Sequence, residues 1–151
     1  MKRFEDLTVG DAFESGERTI TAESIVEFAE QYDPQPFHLD EGAAEDSLFG
    51  ELVASGLQTL CVCNRLATDS AFEHIDIVAG RGIRELWFHR PVRPGDSLRV
   101  RVEVSGKSLP DPGRDTGDVE IDVTGYAQDG EAVVTWTSLT LVARRDDESA
   151  D

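Results

Sequence analysis

The segment QYDPQPFHLD, residues 31–40, holds one carboxylate and one imidazole, Asp33 and His38, with Pro34 and Pro36 between them. Two such groups in reach of one molecule can share proton-transfer work, because histidine ionises near neutrality and aspartate is normally charged there. Groups five residues apart do not share a helical face, where neighbours stand three or four apart. Pro34 disfavours helical geometry at Asp33, and Pro36 fixes its own φ, so the spacing predicts an extended, stiffened loop. Such a loop has little conformational freedom to lose on folding. Taken alone, however, the pair also fits a helix cap followed by a structural histidine, so its surroundings decide.

The elements around the loop are legible from punctuation and periodicity. In TITAESIVEFAEQYDP, Thr21 is a candidate N-cap, Ile25, Phe28 and Ala29 form one apolar stripe, and Pro34 closes the helix. A short second helix is expected around Glu41 to Asp46. The third, ELVASGLQTLCVCNRLATDSAF, is expected to be long, starting at about Glu51. Its apolar residues spread around most of the circumference, as in a helix buried by a curved sheet. Past Asp76 the texture becomes strand-like, with alternation at Leu98, Val100, Val102 and Val104 and a turn at PVRPGD. DVEIDVTGYAQ and AVVTWTSLTLVA are joined at QDGE, a hairpin signal.

A short N-terminal strand, helices and then antiparallel strands make an α+β domain over residues 1–143, with a sheet around a long helix. The acidic tail 144–151 is expected to be disordered. A single sheet leaves an open edge that pairing two copies would cover, so at least a homodimer is expected.

The segments are similar to those of a known family. Phe28-Ala29-x-x-Tyr32-Asp33-Pro34-Gln35-Pro36-Phe37-His38-x-Asp40 resembles the hydration motif of MaoC-like dehydratases, hot-dog-fold relatives of (R)-specific enoyl-CoA hydratases. Gln35 stands where the hydratases carry asparagine. Phe49-Gly50-x-x-Val53-Ala54-Ser55-Gly56 resembles the start of their central helix, and Arg90-Pro91-Val92-Arg93-Pro94-Gly95-Asp96 their turn before the long strands. The resemblance runs from about Phe4 to Val142, in the family's order. It implies a hot-dog fold and a hydro-lyase acting on 2-enoyl-CoA or 3-hydroxyacyl-CoA.

By that resemblance Asp33 and His38 activate water, and the N–H of Gly56 is an oxyanion donor at a helix N-terminus. Tyr32, Phe37, Ser55 and Asn64 are candidates to line the acyl site, although a packing role competes for each aromatic and for the amide. No cofactor is implied beyond the coenzyme A of the substrate. Its phosphates could meet Arg65, Arg81, Arg84, Arg90 or Arg93, each of which also reads as a solvated charge. His74 and His89 stand in no motif and read as structural. A hot-dog thioesterase and a silent acyl-CoA-binding subunit are the competing functions.

Composition bounds the rest. In 151 residues, 31 acidic against 14 basic side chains give a net charge of −17. No basic patch offers phosphate contacts to nucleic acid, and anionic membranes would repel the chain. Only Lys2 and Lys107 are lysines, and that scarcity with so many acids suggests a high-salt cytoplasm, where repulsion is screened. The charged N-terminus lacks a signal peptide's apolar run. Cys61 and Cys63 suit neither a disulfide nor zinc and read as buried thiols, and no metal site is expected.

Overall fold

A computed structural model describes residues 1–146 of the chain. Helix α1 spans Ala22–Tyr32 and opens with a capping box. The Thr21 hydroxyl accepts from the Ser24 N–H at 3.1 Å, and the Ser24 hydroxyl accepts from the Thr21 N–H at 3.3 Å. Ile25 and Ala29 of its stripe are fully buried, while Phe28 is half-buried. Asp33 is the C-cap, as Pro34 requires.

The loop expected after it contains one helical turn. Helix α2, Pro36–Leu39, has proline at its first position, where a missing N–H costs nothing. This corrects the wholly extended reading: Pro36 stiffens the segment by starting a turn rather than by preventing one. Asp40 then caps α3, Glu41–Glu45, accepting from the Ala43 N–H at 3.0 Å.

The long helix α4 runs Gly56–Ser70, one turn later than its apolar run suggests. Leu52, Val53 and Ala54 are buried in an extended segment, in which the Ala54 N–H donates to the Val92 carbonyl at 2.8 Å. A short apolar run looks alike in a buried helix and a buried extended chain. Nor is α4 covered all round. Cys63, Leu66 and Ala67 are buried, whereas Leu57, Cys61 and Asn64 form an exposed stripe on another side.

Six strands form one antiparallel sheet: β1 Ala12–Glu14, β2 Arg18–Thr19, β3 Ile77–Phe88, β4 Ser97–Ser108, β5 Thr116–Tyr126 and β6 Ala132–Ala143. Their order is β1-β4-β5-β6-β3, with β2 also on β4. Leu98, Val100, Val102 and Val104 of β4 alternate inward with Val119, Ile121 and Val123 of β5, as period-2 patterning demands. The sheet and α4 enclose a core that includes Ile25, Cys63, Ala67 and Trp136. Gly125 lets the helix approach: a Cβ there would lie 2.6 Å from the Cys63 sulfur. Burial pushes the Cys63 thiol up to about 12. Cys61, by contrast, is exposed, which corrects the reading of both thiols as buried.

This is the hot-dog arrangement expected from the sequence, a helix held by a curved sheet. Strand β3 is left as a long, unpaired edge, with Val78, Ile83, Trp87 and Phe88 exposed. The tail predicted from 144 is docked at its start. The Arg144 N–H donates to the Asp115 carbonyl at 2.7 Å, and the Arg145 guanidinium bonds the Asp6 carboxylate. Residues 147–151 of that predicted tail lie outside the described residues.

Candidate active site

Asp33 at the end of α1 and His38 on α2 are brought together by the turn between them. Asp33 Oδ2 lies 3.5 Å from His38 Nε2, with the side chains 24% and 7% exposed. That distance is beyond a good hydrogen bond, so the two groups flank a shared point more than they bond one another. The opposite ring nitrogen, Nδ1, is 2.6 Å from the Val53 carbonyl oxygen. A carbonyl only accepts, so Nδ1 carries the hydrogen, and in its neutral form the ring presents a bare Nε2 towards Asp33.

Val53 belongs to the extended segment that leads into α4. Two residues on, the Ser55 hydroxyl caps that helix, accepting from the Leu57 N–H at 3.2 Å and donating to Asp33 Oδ2 at 2.7 Å. Gly56 is the first helical residue, so its N–H has no acceptor within the helix. The helix N-terminus carries partial positive charge beside the Asp–His pair.

His38 and Gly56 line one cavity of about 320 Å³, together with Phe37, Phe49, Val53, Ala54, Thr59, Phe88, His89, Arg90, Pro91 and Val92. Its walls are mostly apolar, and its size lies near the low end, about 300 Å³, for small-molecule sites. Phe37 contacts His38 edge-on at 4.5 Å and Phe49 at 5.3 Å between ring centroids. A larger cavity, about 480 Å³, is lined by Arg81, Arg84, Lys107, Asp118 and Glu120 and contains neither member of the pair.

Of the candidates, His38, Gly56 and Phe37 line this cavity, Asp33 stands 3.5 Å from His38 without lining it, and Ser55 touches Asp33 while fully buried. Tyr32 does not line the cavity; it is 66% exposed and packs on Phe28. Asn64 lines a separate hollow with Phe72, Ile83 and Trp136, because it lies two turns along α4 from Gly56. Thr59 was missed, although one turn after Ser55 it shares that residue's side of α4. His89, read as structural, also lines the cavity and bonds the Thr135 hydroxyl at 2.7 Å.

The five candidate phosphate-binding arginines all face carboxylates. Arg65 pairs with Asp69 at 3.0 Å, Arg81 with Asp118 at 3.7 Å, Arg84 with Glu120 at 2.9 Å, and Arg93 with Glu51. Arg90 holds Asp129 at 2.6 Å and Glu131 at 2.8 Å. Its hydrogen bond keeps the Asp129 carboxyl below the usual carboxylate range.

Residues 5–127 match the MaoC like domain. The chain belongs to that family. Its likeness to the MaoC-like dehydratase from Rhodospirillum rubrum is 39% identity, covering 97% of this chain and 99% of that one, with a TM-score of 0.87. The uncharacterised protein YdeM of Bacillus subtilis is 34% identical over 105 residues, 70% of this chain and 74% of that protein. The (R)-hydratase from A. caviae shares the fold at 22% identity and a TM-score of 0.71, covering 90% of this chain and 97% of that one. In this MaoC-like domain His38 and the first residue of α4 thus meet in one mostly apolar cavity, with Asp33 3.5 Å from His38.

Proposed function

We propose that this MaoC-like domain is an acyl-CoA hydro-lyase, adding water to a 2-enoyl thioester or removing it from a 3-hydroxyacyl thioester. The observation that carries the reading is the Asp33–His38 pair, 3.5 Å apart, with His38 sharing one cavity with Gly56, whose N–H has no acceptor within its helix. The dehydratase name of the R. rubrum relative and the shared fold of the (R)-hydratase support the same reaction class.

The steps balance with these groups alone. Water placed between Asp33 and His38 loses a proton to the pair as its oxygen attacks C3. The electrons of the C2–C3 double bond move to the thioester oxygen, and the Gly56 N–H meets the developing negative charge. The proton held by the pair then passes to C2, giving the 3-hydroxyacyl product. Dehydration runs the same path backwards. Two copies joined along β3 are the proposed working assembly, because that edge is long, apolar and unpaired.

Loss of the enoyl-thioester absorbance of crotonyl-CoA in concentrated KCl tests the reading, with Asp33→Asn and His38→Ala beside the wild type. Wild-type turnover that falls on the order of a hundredfold or more in both variants is the expected result. Free thiol released from saturated acyl-CoA, with no enoyl hydration, would instead mean a thioesterase. Inactivity in both assays would leave an acyl-CoA-binding subunit.

A further inference from the structure

Ser55 is fully buried, does not line the cavity that holds His38 and Gly56, and touches Asp33, so the substrate contact expected from the sequence is not open to it there. We infer that Ser55 is a positioning residue: its hydroxyl fixes the Asp33 carboxylate in its working rotamer against the N-terminus of α4. The inference rests on the hydro-lyase reading and adds a member to its machinery.

The argument starts from an electrostatic conflict. Asp33 is the C-cap of α1, where the helix presents partial negative charge and disfavours a carboxylate. His38, 3.5 Å away and singly protonated on the far nitrogen, gives Oδ2 no hydrogen in its neutral form. The donor that Oδ2 does receive is Ser55 Oγ–H at 2.7 Å, across 22 residues of chain. That same oxygen accepts the Leu57 N–H at 3.2 Å, so the hydroxyl is polarised by the positive end of α4 and becomes the better donor. One side chain therefore connects Asp33 to the N-terminus of α4. Among the described residues Oδ1 receives no side-chain donor, which leaves it for water or substrate.

The arrangement also fixes a distance relationship. Ser55 precedes the oxyanion donor Gly56, so the bond from Ser55 to Asp33 sets where the carboxylate stands relative to that N–H. A carboxylate free to rotate would lose its alignment with the thioester oxygen.

Ser55→Gly tests this, because glycine is nearly as good an N-cap as serine but has no hydroxyl. Wild type and variant are compared by crotonyl-CoA kinetics, by crystallography and by thermal unfolding. The expected result is a kcat lower on the order of tenfold or more with KM within about twofold, since the bond lost is one to a charged group and Ser55 itself touches no substrate. In the variant crystal Asp33 leaves the position it holds beside His38. An Asp33 that stays in place, with kcat unchanged, overturns the inference whatever happens to the Tm. A wild type that hydrates no enoyl-CoA sinks the hydro-lyase reading, while displacement of Asp33 in the variant crystal still answers for Ser55.

Discussion

His38 Nδ1 stands 2.6 Å from the carbonyl oxygen of Val53, a residue of the segment that leads into α4. The bond joins α2 to that segment and at the same time decides which ring nitrogen is bare. Structure and chemistry are therefore separable by substitution. His38→Ala leaves the Val53 carbonyl without its side-chain donor, costing about 1–3 kcal/mol and several degrees of Tm. His38→Asn keeps an N–H donor near the position of Nδ1 but places no nitrogen at Asp33. Both variants should be inactive in crotonyl-CoA hydration, with only His38→Ala losing most of that stability. Equal Tm losses in calorimetry would mean that the Val53 bond contributes nothing to folding.

Gly56 has two possible reasons to be glycine. A Cβ there would sit 2.6 Å from the Phe88 ring, so the residue permits close packing as well as offering a free N–H. Because the ring belongs to a side chain 45% exposed at the end of β3, it can swing away, and Gly56→Ala should fold. Its kcat should nonetheless fall on the order of tenfold or more, since the methyl crowds the approach to the oxyanion donor. Phe88→Ala combined with Gly56→Ala removes the clash and separates the explanations. Turnover restored to that of Phe88→Ala alone would show that the glycine serves packing only.

The motif carrying Asp33 and His38 was legible because its information is local: two prolines, a helix end and a turn lie within ten residues. The fold was legible for a related reason, since β4 to β6 alternate cleanly and α4 is dense in apolar residues. What the sequence hid was non-local. Ser55 meets Asp33 across 22 residues, and no local pattern announces that bond. Asn64 looked available because a polar residue on an apolar helix invites a role, yet the start of α4 at Gly56 turns it towards another hollow. The arginines looked like phosphate ligands, but with 31 acidic side chains against 14 basic ones each candidate has a carboxylate within reach.

The β3 edge gives a prediction about assembly. Ile83 and Trp87 are 53% and 67% exposed on a 12-residue strand whose other side pairs with β6. Glutamate at Ile83 places a charge on the face that a second copy would cover. Light scattering should find a dimer for the wild type and a monomer for Ile83→Glu, with secondary structure by circular dichroism unchanged. A wild type that is monomeric at micromolar concentration would rule out pairing along β3.

Salt dependence follows from the charge balance and can go either way a priori. Surface pairs such as Arg65–Asp69, both well exposed, weaken when screened, and each contributes little to begin with. The net charge of −17 opposes the compact state through repulsion among carboxylates that outnumber the cations more than twofold. Salt shortens the reach of that repulsion from about 10 Å at 0.1 M to about 3 Å at 1 M. Because the unpaired acids outnumber the pairs, relief of repulsion should dominate, and Tm should rise steadily from about 0.1 M to about 2 M KCl. Replacing KCl with an uncharged osmolyte at equal osmolality separates screening from general exclusion effects. A Tm that falls with KCl would show that the arginine–carboxylate pairs outweigh the repulsion, and the adaptation to high salt read from the composition would be lost.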